Sequence, residues 1–210
     1  DALRTAGAQR IIAMNLGVGQ NLRKRVSDEF ERRLLRTLVA VPGTIVVLDS
    51  GFGPDEVERS AGLAADTRAF GYAAIETSFG EMGAAPLPHG VVTVSCTIGQ
   101  MASLIACSDE YIGYDSACQH IAAAARTPTL TVFAGSNNKN FVRRWSACGD
   151  TDCRIVHVDT LTDPQHVGMD EVISRIMHER NTRDRRGQFR IREVRVSQCP
   201  GAPAPEPTRE

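Results

Sequence analysis

Along most of this chain the hydrophobic pattern switches between short unbroken apolar runs and stretches with helical spacing, and the switches fall at glycine, proline or polar turns. The apolar run Arg10–Asn15 reads as a strand and ends in the turn Leu16-Gly17-Val18-Gly19-Gln20. Residues 27–41 put Phe30, Leu34, Leu35 and Leu38 on one helical face, with Ser27 as the N-cap and Pro42-Gly43 as the stop. Thr44-Ile45-Val46-Val47-Leu48 has the continuous apolar character of a strand buried on both faces. The turn Gly51-Phe52-Gly53-Pro54 then leads into a helix over residues 55–68, and residues 77–90, rich in Gly and Pro, read as a long loop. The rhythm resumes with a strand at Val91-Val92-Thr93-Val94, a helix over Ile98–Ala106, a strand at Tyr111-Ile112-Gly113-Tyr114 and an alanine-rich helix over residues 116–125. A strand over Thr129–Phe133, a turn at Gly135-Ser136-Asn137-Asn138, a strand at Arg154-Ile155-Val156-His157-Val158 and a helix over residues 169–178 complete it. Strands alternating with helices predict right-handed βαβ units and an open, doubly wound α/β sandwich: a parallel sheet with helices on both faces.

Beyond residue 180 the character changes. Residues 181–186 are almost wholly polar, residues 188–196 alternate enough for an edge strand, and residues 200–210 form a Pro-rich tail with the composition of a linker. The expected organisation is therefore one doubly wound α/β domain over 1–180 and a polar, Pro-rich C-terminal extension over 181–210. At 210 residues the chain is long enough to bury roughly 70% of the surface its unfolded form would expose. It starts at Asp1 without a basic-then-apolar signal segment, which fits a processed chain or a piece of something larger.

Composition removes some classes. A net charge of −1 gives no general attraction to nucleic acid or to an anionic membrane. No apolar run approaches the ~20 residues of a membrane-spanning helix. The six cysteines contain no C-x-x-C pair and read as reduced, intracellular thiols, although Cys148 and Cys153 stand close enough in sequence for a loop disulfide. No second ligand pair gives them zinc spacing. Lys24 and Lys139 are the only lysines in an Arg-rich chain, so each position carries information.

Open parallel sheets bind ligands at the carboxyl ends of their strands, and three segments should converge there. The first is the Gly17–Arg25 loop, whose glycines let backbone approach an anion and whose Lys24 supplies charge; it has neither P-loop spacing nor a complete dinucleotide fingerprint. The second is Asp115-Ser116-Ala117-Cys118-Gln119-His120, where an acid ends a strand, Ser116 caps a helix and His120 lies one turn in. Here the helix mouth can meet a phosphate, or Asp115 and Ser116 can serve only as caps. The third is Asp49-Ser50-Gly51-Phe52-Gly53-Pro54-Asp55-Glu56, acidic residues beside the crevice that suit a ribose or simple capping. Asp150-Thr151-Asp152 has metal-nucleotide spacing but lies in a loop between two cysteines. His89, His157, His166 and His178 show no ligand spacing, and no G-x-S-x-G elbow marks a hydrolase.

The run from Thr97 through the Asp115–His120 block and Ile121-Ala122-Ala123-Ala124 to Thr127-Pro128 and Phe133 resembles the C-terminal half of family 9 glycosyltransferases, the lipopolysaccharide heptosyltransferases. That family shows an acid, Ser or Thr, Gly, two variable residues and His, then an alanine-rich helix and Gly-Thr-Pro, and a Lys-x-Trp-Pro turn upstream. The likeness implies the Rossmann-like donor half of a GT-B fold. It implies that Lys24, with Gly19 and Gln20 nearby, neutralises a donor diphosphate, that Glu56 holds the ribose, and that Cys96 and Thr97 line the base pocket. Asp115 would contact the transferred sugar, while Ser116, Ala117 and His120 surround the phosphates. No metal and no cofactor are expected, because fixed cations and helix N-termini stabilise the leaving diphosphate. The partners expected are a nucleotide-diphosphate sugar (ADP-heptose-like) and a glycan, lipid or other hydroxyl acceptor. The acceptor would be held by a separate N-terminal domain, which also carries the general base. The expected location is the cytoplasm or the inner face of the membrane, without a transmembrane segment. Three positions depart from the family pattern: Ala117 replaces its Gly, Arg126 replaces the Gly before Thr-Pro and disfavours a left-handed helix end, and the Trp-Pro after Lys24 is missing. A non-catalytic nucleotide-sugar-binding or regulatory module, and a structural domain with a vestigial crevice, are the alternatives.

Overall fold

The computed structural model describes residues 2–82, 87–163, 167–182 and 190–194, the last as backbone alone. His166, Cys199 and the Pro-rich tail lie outside them, as does most of the polar stretch after 182. The chain forms α1 (Ala2–Thr5), β1 (Arg10–Asn15), α2 (Asp28–Val39), β2 (Thr44–Asp49), α3 (Pro54–Ala69) and β3 (Ala74–Ser78). Then come β4 (Gly90–Ser95), α4 (Ile98–Ala106), β5 (Glu110–Tyr114), α5 (Ala117–Ala124), β6 (Thr129–Phe133), α6 (Lys139–Trp145), β7 (Cys153–Val158), α7 (Met169–Asn181) and β8 (Arg190–Val194).

The eight strands lie in the order β3-β4-β2-β1-β5-β6-β7-β8 with every neighbouring pair parallel. Alternate strand residues face opposite ways, so Ile12, Met14, Val46, Leu48, Ile112, Val132 and Val156 pack under α2, α3 and α7. Ile11, Ala13, Ile45, Val47 and Tyr111 pack with α1, α4 and α5 on the other face. Both faces are covered, which is why the strands are apolar almost without a break.

The chain runs outward from β1 through β2 to the edge strand β3, steps back to β4, then crosses past β1 to β5 and runs the other way. The direction of winding therefore reverses between β1 and β5, and the loops after those two strands part from each other there.

Two elements differ from the sequence expectation. Part of the supposed long loop is β3 followed by a single 3-10 turn, Phe79–Glu81. Its strand sequence Ala-Ile-Glu-Thr-Ser has one large apolar residue because it is an edge strand with one neighbour. The seven-residue α6, which the reading by periodicity passed over, starts at Asn138, whose side chain accepts from the N–H groups of Asn140 and Phe141. Only Val142 of α6 is buried, so its apolar spacing is too sparse to stand out. Ser27 caps α2 as expected, accepting from Phe30 N at 3.1 Å.

The end of α5 corrects another expectation. Arg126 adopts φ 60°, the left-handed turn thought to need glycine. Its N–H donates to Ala123 O at 3.1 Å and the next N–H, of Thr127, to Ala122 O at 2.9 Å, the paired bonds of a Schellman cap. Two satisfied carbonyls offset the strain of a Cβ in that region. Arg126 is exposed and its ion pair with Asp150, at 3.7 Å, joins two solvated side chains that add little. Arg126→Gly should therefore stabilise the chain by about 1 kcal/mol, raising Tm by roughly 3 °C in a calorimetric scan; an unchanged or lower Tm would show that the turn is unstrained.

Candidate functional site

At the reversal point, the loop after β1 carries a 3-10 turn, Leu22–Lys24, and the loop after β5 is the two residues Asp115 and Ser116. Lys24 Nζ lies 2.8 Å from Asp115 Oδ2 and donates to the Asp115 carbonyl at 3.3 Å. The one lysine of the loop and the mouth of α5 thus form one site. Asp115 is 8% exposed, and its other oxygen, Oδ1, accepts from Gln119 Nε2 at 2.7 Å. Gln119 is fully buried, accepts from Ala147 N and donates to the carbonyl of Trp145. It is a support the sequence reading did not single out, though its i+4 spacing from Asp115 was visible. Across the same loop, Gly135 (φ 72°) lies against Arg23: a Cβ there would come within 2.2 Å of the Arg23 carbonyl oxygen. The turn after β6 thereby closes on the lysine-bearing loop.

Ser116 stands at the N-cap of α5 but makes no side-chain capping bond, contrary to expectation. Its hydroxyl is buried instead. The N–H groups of Ala117 and Cys118 consequently have no serine hydroxyl over them, while Gln119 N–H donates to the Ser116 carbonyl at 3.3 Å. Ala117 and His120 are exposed on this first turn.

A second compartment adjoins the first. A cavity of about 720 Å³ opens at the carboxyl ends of β1, β2 and β4, whose last residues Asn15, Asp49 and Ser95 line it. Gly19, Glu56, Cys96, Thr97 and Cys118 are also in its wall. Among the described residues that line it, none is cationic, while Asp49 and Glu56 are carboxylates.

Glu56 has a defined task. Its Oε1 accepts from the N–H of Val18 at 2.9 Å and of Gly19 at 3.1 Å, and its Oε2 from Phe52 N at 2.8 Å. The anion that the glycine turn approaches is therefore the protein's own carboxylate, which ties the β1 and β2 loops together. Gln20 is exposed on that turn. Thr97 caps α4 in a capping box, accepting from Gln100 N at 3.3 Å while its own N–H donates to Gln100 Oε1 at 2.8 Å. Burial pushes the Cys96 and Cys118 thiols up to about 11 each, so both stay protonated at neutral pH.

Nine of the ten predicted residues thus fall into two adjoining groups. Gly19, Glu56, Cys96 and Thr97 belong to the cavity, Lys24, Asp115, Ser116, Ala117 and His120 to the reversal point, and Gln20 to the exposed turn. The other candidates are committed elsewhere. Asp152 pairs with Arg154 at 2.9 Å, and Cys148 and Cys153 are free thiols. Among the described residues no cluster of three or more His, Cys, Asp or Glu could hold a metal ion, and no helix is long and apolar enough to cross a membrane.

Comparison with known proteins follows the same lines. Residues 91–155, less than a third of the chain, match the model of glycosyltransferase family 9 (heptosyltransferase). The chain is glycosyltransferase family 9-like. A solved structure of E. coli heptosyltransferase WaaC with ADP shares the fold of this family 9-like chain at TM-score 0.56 and 19% identity, over 82% of this chain and 44% of that one. A structure of the same enzyme with ADP-2-deoxy-2-fluoro heptose matches at 22% identity over 63% of this chain and 34% of that one; its TM-score of 0.43 is too low to bear on the fold. The family 9-like chain spans less than half the length of the solved structures it matches. Comparison with curated proteins gives no match.

Asp49 gives the cavity a pH signature. Its Oδ2 accepts from Asn15 Nδ2 at 2.7 Å, yet burial raises its carboxyl above the usual aspartate value of 3.8, opposed by that bond and by Gly51 N–H. A raised carboxyl is a stability contribution present in acid and lost as pH rises through the folded titration. Asp49→Asn should therefore raise Tm at pH 7, with the gain shrinking as pH falls toward 3.8. Thermal unfolding across that range checks it, and a pH-independent difference would refute the assignment.

Proposed function

We propose that the chain is the donor-binding domain of a metal-independent, inverting glycosyltransferase, the C-terminal half of a GT-B pair, and that it holds an ADP-heptose-like donor. The observation that carries this reading is the contact of Lys24 with Asp115 where the sheet's winding reverses. A pyrophosphate arriving there meets an ammonium group and the uncapped N–H groups of an eight-residue helix. Both are fixed before reaction, so charge developing on the leaving diphosphate finds its stabilisation in place.

The neighbouring cavity suits the other end of the donor. Its volume fits a nucleoside, and its carboxylates repel phosphate while accepting from hydroxyl groups. Glu56, with two backbone N–H groups on Oε1 and one on Oε2, keeps a lone pair of Oε2 for a ribose hydroxyl, and Cys96 and Thr97 border the base. The ADP present in the E. coli heptosyltransferase structure supports an adenine nucleotide. Asp115, once Lys24 turns to phosphate, is left to accept from a sugar hydroxyl. Deprotonation of the acceptor hydroxyl is assigned to an acid on a partner N-terminal domain, which also seats the acceptor. In this reading residues 1–180 form the binding unit and 181–210 its extension.

Lys24→Ala should weaken ADP binding about 10- to 100-fold by titration calorimetry, the loss expected for one charge-assisted contact to phosphate. Retention of full affinity would sink the reading. Donor binding without transfer in the full-length protein would point to a nucleotide-sugar-binding module instead.

A further inference from the structure

We propose that Glu31 is a positioning residue that holds Lys24 and Asp115 in contact. Glu31 lies in the first turn of α2 and is fully buried, although it is a carboxylate. Its Oε1 accepts from Arg25 Nε at 2.8 Å, and its Oε2 accepts from a second Arg25 nitrogen at 2.9 Å and faces Arg59 Nε at 3.3 Å. Arg59 of α3 also donates to Leu16 O, the first carbonyl after β1, at 2.7 Å. The loop bearing Lys24 is thereby fastened at its start and at its end to one carboxylate.

The same loop is tied to the other half of the pair. The Tyr114 phenol is itself fully buried and accepts from Val26 N at 3.2 Å, joining the end of β5 to the loop that Glu31 holds. Arg25 is the residue after Lys24, and Tyr114 is the residue before Asp115. The neighbour of Lys24 is therefore fixed on Glu31, and the neighbour of Asp115 on the next residue of the same loop, Val26. Stability alone does not call for such an arrangement, since a buried ionic cluster is commonly no better for folding than apolar side chains of the same size. What the charges add is geometry, because a bidentate guanidinium fixes both distance and angle.

The positioning role rests on the donor-binding reading only for what Lys24 meets, and the test separates the two. Lys24 and Lys139 are the only lysines, so side-chain nitrogen NMR of the lysine-labelled full chain gives two amine signals. In Glu31→Gln without ligand, the Lys24 signal should move to the position of a solvated lysine while that of Lys139 stays. ADP affinity should fall about tenfold, and Lys24→Ala with Glu31→Gln should lose no more than Lys24→Ala alone. If Glu31→Gln does not fold, Tyr114→Phe, which removes only the hydroxyl, should shift the Lys24 signal in the same direction by less. An unmoved Lys24 signal in a folded Glu31→Gln or Tyr114→Phe chain, or additive losses of affinity, overturns the proposal. A moved signal in a chain that binds no ADP upholds Glu31 and removes the donor reading instead.

Discussion

The Lys24–Asp115 ion pair is the contact on which the crevice depends. The loops after β1 and β5 leave the sheet in opposite directions, one toward β2 and the other toward β6, and backbone pairing between the strands ends where they part. A gap at that place is a consequence of topology, and some side-chain contact has to set its width. A lysine reaching across to an aspartate does so with a group that can be exchanged: phosphate oxygens can take over the ammonium, while Gln119 continues to hold Asp115 in place. A disulfide or an apolar contact would fix the gap equally well and leave nothing to give a ligand.

Charge is partitioned around this contact in a way that orients an asymmetric ligand. The cavity side presents Asp49 and Glu56, and the reversal point presents Lys24 and a helix N-terminus. A molecule with a neutral hydroxylated end and an anionic end fits this field one way round only, because the reverse placement sets phosphate against two carboxylates. The polarity costs the free protein something. Asp49 is held above its ordinary titration range by burial, which is unfavourable to folding at neutral pH and is a perturbation of the kind that clusters at binding sites.

Most of the sheet was legible in the sequence because parallel strands covered on both faces must be apolar runs. β1, β2, β4, β5, β6 and β7 each contain at least three fully buried apolar residues or a threonine in their place. β3 and α6 were hidden for the converse reason: an edge strand and a helix with one buried residue carry little pattern. The site was legible as three segments, since strand ends in an α/β sheet converge by rule. Side-chain connections were another matter. That Glu56 fills the glycine turn, and that Ser116 turns inward rather than capping, depends on distances of a few tenths of an ångström between loops far apart in sequence. Glu31 gave no sign at all, because an acid at the first turn of a helix is what the helix dipole favours anyway.

The departures from the family pattern show which glycines the backbone requires. Arg126 holds a left-handed turn because two hydrogen bonds and open solvent accommodate its side chain, and Ala117 is exposed, so a methyl group there meets no neighbour inside the fold. Gly135 has no such freedom: a Cβ would press on the Arg23 carbonyl, and relief could come only by moving the loop that carries Lys24. A glycine is replaceable where only its own dihedral angle is in question, and fixed where another backbone lies against it. By that criterion the two substituted positions leave the proposed anion site in place, because Lys24 and Asp115 still meet beside the glycine that closes the loop. What the substitutions alter is the shape of the helix mouth at its exposed rim.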